Sequence, residues 1–152
     1  MDEVLVRSIR EIVKLVNHCG LINIDFADLR RIFEKSDKYP SGLIGVTETL
    51  GENQDLIRKS KLAIHNPLLK PNTSEISRCV VSVSSDHKLS ISNIDKIAAT
   101  ITNEIPENAK MKLGTYIESN LDTKIRICAL SRGPISPYVR AAIDSEDNTP
   151  FE

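Results

Sequence analysis

Residues 20–30 read Gly20-Leu21-Ile22-Asn23-Ile24-Asp25-Phe26-Ala27-Asp28-Leu29-Arg30, a short connection between two helical patterns. It puts Asn23, Asp25 and Asp28 close together in the chain. Leu21 and Ile22 hold the connection down, and Phe26 and Leu29 anchor the run that follows. Two carboxylates and an amide therefore stand at a surface tip on a rigid base. Asp25 is placed to cap a helix running to about residue 35, with Phe26, Leu29, Ile32 and Phe33 inward. Carboxylates three apart occupy neighbouring positions at a helix start. On spacing alone, a cap at Asp25 with solvated polar neighbours accounts for the pattern, and that plain reading outweighs a catalytic one.

The preceding residues, 2–19, form the clearest helix. Asp2 and Glu3 lie at its start, where the helix dipole favours them, and Gly20 is suited to end it. Leu5, Ile9, Ile12, Val16 and Cys19 share one face, widened by Val6 and Val13 on one side and Val4 and Leu15 on the other. That arc is about twice the ~100° a one-sided surface helix needs. The polar arc is left to Glu3, Arg7, Arg10, Glu11, Lys14, Asn17 and His18. Such a helix expects a packing partner on each side, and its own sheet supplies one.

Downstream, helical and strand patterns alternate. Strands are expected at residues 43–50, 79–84, 109–117 and 124–130. Helices are expected from Gly51 to about His65, stopped by Pro67, and from Ser92 to Glu104. Ser92 followed by Asp95 has the spacing of a capping box. Lys112, Lys124 and Arg126 are expected as solvated strand positions. The last two strands are near enough in sequence to pair antiparallel. The order predicts an α/β domain: a four-stranded mixed sheet with two helices on one face and the long N-terminal helix on the other. After Gly133, prolines and an acidic stretch predict a flexible tail over 134–152.

The Asn23-x-Asp25-Phe26-x-Asp28 motif, following a long helix, closely resembles the loop of FtsZ, the tubulin-like GTPase of cell division. Gly45 matches one of two family glycines, with Thr47 at the second. Gln54-Asp55 stands where the family usually has Arg-Ala, while Pro67-Leu68-Leu69 is a family feature. Gly114-x-x-Ile117-Glu118-x-x-Leu121 looks nearer the archaeal members. The resemblance covers residues 2–133 and implies the C-terminal half of such a protein. Residues 1–20 would be its central helix and 21–133 its polymerisation and GTPase-activating domain. It implies that Asp25 and Asp28 are catalytic, completing the GTP pocket of the adjacent subunit in a head-to-tail filament. Asn23 would contact nucleotide or hold the loop. The implied partners are a neighbouring FtsZ-type subunit and an N-terminal GTP-binding domain. GTP with Mg belongs to the intact filament, and neither is expected on this chain alone.

Composition fits that reading. The chain has 152 residues, 40% hydrophobic and 27% charged, with a net charge of −1. A near-neutral balance gives no reason to bind nucleic acid. No apolar run reaches the ~18 residues of a membrane span, so direct membrane insertion is not expected. With no leader pattern, the implied location is the cytoplasm, at the division site. Cys19, Cys79 and Cys128 form no Cys-x-x-Cys pair, so buried reduced thiols are expected. His18, His65 and His87 lack metal-ligand spacing, and no metal site is expected. Six dispersed glycines and the lack of any Gly-Lys-Ser or Gly-Lys-Thr leave no phosphate cradle. The chain alone is therefore expected to be inactive as a GTPase. Two alternatives compete: a stand-alone domain that caps or regulates filaments of a full-length homologue, and a generic α/β interaction domain.

Overall fold

The computed structural model describes residues 2–17, 22–34, 42–66, 69–86, 89–122, 124–133 and 135–146. The elements run α1 (Asp2–Asn17), α2 (Phe26–Phe33), β1 (Gly42–Thr49), α3 (Asn53–His65), β2 (Arg78–Ser85), α4 (Ile91–Glu104), β3 (Lys110–Ile117), β4 (Ile125–Arg132) and α5 (Pro137–Glu146), with a 3-10 turn at Thr73–Glu75. The expected cap at Gly20 lies outside the described residues, as do His18, Cys19, Leu21, Pro67, Leu68 and His87.

Four strands form one mixed sheet in the order β1-β4-β2-β3. The α4 crossover makes β2 and β3 parallel, while β4 runs antiparallel to both β1 and β2. This corrects the expected β3–β4 hairpin. The run 125–130 is buried almost throughout, so β4 needs a neighbour on each side and sits inside the sheet. Strand β3 carries the exposed Lys110 and Lys112 at its start and takes the edge, where lysines deter pairing with other chains.

Helices α3 and α4 cover one face. Leu56, Ala63, Ile64, Ile97 and Ile101 close there against Cys79, Val81, Val83, Ile125, Ile127 and Ala129. Helix α3 lies so close to β1 that a Cβ on Gly45 would fall 2.0 Å from the Ala63 carbonyl oxygen. Across the two helices, Glu104 receives Lys61 at 2.8 Å and sits 2.6 Å from His65 Nε2. Cys79 and Cys128 are buried free thiols, and burial pushes Cys79 up to about 12.

On the opposite face Leu15 of α1 and Leu29 and Ile32 of α2 meet Val80, Tyr116 and Leu130. Here several expectations are corrected. Glu11, assigned to the solvated arc of α1, is only 1% exposed, and Arg126 is likewise taken out of solvent. Arg126 Nη1 donates to Glu11 at 2.9 Å and to Glu118 at 3.3 Å, and its Nε donates to Glu48 at 3.0 Å. Lys14 joins through Glu11 and Glu118. Burial works against the guanidinium, but the Glu48 hydrogen bond and the charges of Glu11 and Glu118 outweigh it, so its pKa is raised. Meanwhile Val6, Ile9 and Val13, one stripe of α1, are 52%, 52% and 50% exposed. In α2, Leu29 and Ile32 point inward as expected, but Phe26 and Phe33 stand exposed. An eight-residue helix turns only two residues fully into the core.

Two further corrections are local. Helix α4 starts one residue after Ser90, whose hydroxyl accepts from the Asn93 amide at 3.1 Å, so the cap is not Ser92. Leu89 and Ile94 join the same apolar cluster on either side of that cap, the arrangement of a hydrophobic staple, and this fixes the earlier start. Within the expected tail, Pro137–Glu146 is helical. Pro137 takes the first helical position, where its missing N–H costs nothing, and Arg140 pairs with Glu75 at 2.8 Å.

Candidate functional site

The 22–28 connection crosses from α1 to α2 along the outer edge of β3. Ile22 forms an antiparallel bridge with Thr115, its carbonyl accepting from the Thr115 amide at 3.0 Å. Ile24 then turns inward over Gly114. A Cβ at Gly114 would lie 2.7 Å from Ile24 Cδ1 and 3.0 Å from the Ile22 carbonyl oxygen. Only glycine leaves room for this seat, so the connection rests on the sheet rather than standing free of it.

From that seat the polar residues project. Asn23 and Asp25 are exposed. Asp25 is the N-cap of α2: its Oδ1 accepts from the Ala27 amide at 3.1 Å, and its carbonyl accepts from Asp28 at 2.9 Å. The capping bond fixes the carboxylate and leaves its other oxygen facing out. Asp28, one turn on, is drawn further in. Its side chain is 17% exposed, 3.5 Å from Arg31 Nη1 and 3.9 Å from Lys112 Nζ. Phe26 stands exposed between them. The three candidate residues of the sequence thus share one tip, with Asp25 open and Asp28 engaged by two cations.

Sequence reasoning missed the cations beside Asp28. Arg31 is legible as an i, i+3 partner. Lys112 is brought there only by the loop's path along β3, which no local pattern reveals. Among the described residues no three His, Cys, Asp or Glu side chains converge as a metal site, and no helix is long and apolar enough to cross a membrane.

Residues 41–133 match the model of the FtsZ family, C-terminal domain. A cell division protein FtsZ of Haloferax mediterranei is 29% identical over 138 residues, covering 91% of this chain and 36% of its own length. The mitochondrial division protein fszA of Dictyostelium discoideum is 32% identical over 133 residues, covering 88% of this chain and 25% of its own. Among solved structures, the empty FtsZ dimer of M. jannaschii superposes with a TM-score of 0.73 at 26% identity, over 87% of this chain and 37% of that one. The chain therefore spans about a third of the length of such relatives. The family model matches more than half of the chain and the mixed four-stranded sheet is shared with the FtsZ structure, so the chain belongs to the FtsZ family.

Proposed function

We propose that this chain serves as the polymerisation and GTPase-activating domain of a filament-forming cell-division protein, with Asp25 and Asp28 completing a GTP pocket on the adjacent subunit. The observation that carries this reading is the rigid acidic tip: an exposed carboxylate fixed by its own helix cap, on a loop seated against Gly114. Phosphoryl transfer depends mainly on positioning and electrostatics rather than on a strong base. An aspartate held in this way can orient an attacking water through the oxygen its cap leaves open, and it needs little proton affinity to do so. Asn23, exposed beside it, would hold the loop or contact nucleotide. Magnesium in the intact filament would supply positive charge to the phosphates, and Asp25 and Asp28 are the two carboxylates this tip could offer it. The Val6, Ile9 and Val13 stripe supports a second partner, an N-terminal GTP-binding domain lying against α1.

The test is Asp28→Ala and Asp25→Ala in a full-length protein carrying this loop. Turnover is expected to fall by about 10²-fold or more with nucleotide binding retained, a loss in the range of positioned catalytic groups. An equal loss of binding and turnover, or unchanged turnover, would reject the assigned role.

A further inference from the structure

Beside Asp28, between α2 and the starts of β2 and β3, lies a groove of about 260 Å³ lined by Asp28, Arg31, Arg78, Lys110 and Lys112, with Val80 in its floor. Four cations face one carboxylate in a chain whose net charge is −1. Arg78 and Lys110 are register partners on adjacent strands, and Lys112 partners Val80 one step along the same face. Like charges side by side weaken a ladder. Edge protection accounts for the lysines of β3 but not for Arg78, because β2 is an interior strand. Among the described residues neither Arg78 nor Lys110 makes an ion pair, and the contacts of Arg31 and Lys112 to Asp28 are long, 3.5 Å and 3.9 Å.

We propose that this groove is a subsite for a phosphate-class oxyanion, held by the Arg31 and Arg78 guanidiniums with Lys110 and Lys112. Guanidiniums match phosphate oxygens in paired hydrogen bonds, and ammoniums add point charge. An arriving anion competes with Asp28 for Arg31 and Lys112. Its binding frees the Asp28 carboxylate, so the occupied groove is the state in which Asp28 can act. This last step rests on the catalytic reading given above; the binding step does not.

The test titrates the 152-residue chain with pyrophosphate and follows backbone amides by NMR. Saturable shifts are expected at Arg78, Lys110, Lys112 and Asp28. Lys110→Glu should weaken the affinity by about tenfold or more, in keeping with loss of a charge-assisted contact. Asp28→Asn should tighten it by removing the competing carboxylate. Lys96→Glu, a change of equal charge on α4 across the sheet, should leave it unchanged. Shifts that do not saturate, or an equal loss from Lys96→Glu, overturn the proposal, as does weaker binding by Asp28→Asn.

Separate titrations with inorganic phosphate and GTP identify the source. A preference for pyrophosphate and GTP assigns the groove to the polyphosphate of a nucleotide, and equal binding of inorganic phosphate assigns it to the free ion. A full-length Asp28→Ala protein that loses turnover while the groove binds nothing rejects the subsite and keeps the catalytic reading. A binding groove with unchanged Asp28→Ala turnover does the reverse.

Discussion

The two faces of the sheet are built on different principles. Under α3 and α4 the contact is dry, with aliphatic side chains from both helices closing on alternate residues of the interior strands. Under α1 and α2 a smaller apolar cluster shares the surface with Arg126, Glu11, Glu48 and Glu118, and a groove of about 230 Å³ stays open between Ile12, Ile32, Ile44 and Leu130. Dispersion and burial need no direction and hold the first face whatever lies nearby. Ion pairs are directional, so they fix the angle of α1 on the sheet while adding less net stability than a dry contact of the same area. The face that carries the acidic loop is thus the one kept oriented and unfinished, and the sealed face supplies the stability.

The largest effect expected from that contrast is at Arg126. Arg126→Met leaves Glu11, Glu48 and Glu118 without their shared guanidinium, with Lys14 beside Glu11 and Glu118 and Lys124 at 3.9 Å from Glu48. Breaking a buried cluster from one side should cost about 3–5 kcal/mol, because the charges left behind lose their partner without regaining water. Urea denaturation of the chain reads this directly. A loss below about 1 kcal/mol would put the cluster in the class of exposed pairs and remove the distinction between the faces.

The same contrast explains what the sequence could reveal. The dry face was legible, since aliphatic runs mark the strands and the α4 stripe. The order of strands was not, because proximity in sequence favours a β3–β4 hairpin while the burial of 125–130 demands an interior place. Glu11 was unreadable for a plainer reason. Its partner Arg126 is 115 residues away, and an acidic residue on an amphipathic helix ordinarily belongs to solvent. In the loop, the cap at Asp25 followed from residue type and position. The shielding of Asp28 did not, since it depends on Lys112 from a strand that only the fold brings near.

A smaller effect is expected at the seat of the loop. Gly114→Ala puts a methyl group against Ile24 and the Ile22 carbonyl. The Ile24 side chain can yield, but the carbonyl is tied to Thr115, so the connection must lift. Overpacking of this kind should cost about 1–3 kcal/mol in the chain. In a full-length protein, turnover should fall further than the folded fraction, because a shift of about 1 Å at a positioned group costs far more in rate than in stability. Equal losses in the two measurements would show that the seat holds the fold and not the tip.

The smallest effect expected is the most telling about the open face. Val6→Ser and Val13→Ser alter side chains that are 52% and 50% exposed in this chain. Valine and serine have similar helix propensities, so the substitution reports packing more than helix formation. In the chain alone each should change stability by no more than about 0.5 kcal/mol, the range of surface substitutions. In a longer protein whose N-terminal domain covers this stripe, each should cost about 1–2 kcal/mol, since the apolar area of a valine is then withdrawn from water. Paired urea melts of the chain and of the longer protein supply both numbers. Equal, negligible costs in both contexts would mean that nothing covers the stripe. A cost above about 1 kcal/mol in the chain alone would mean that α1 already packs on two sides, and the contrast between a sealed and an unfinished face would fail.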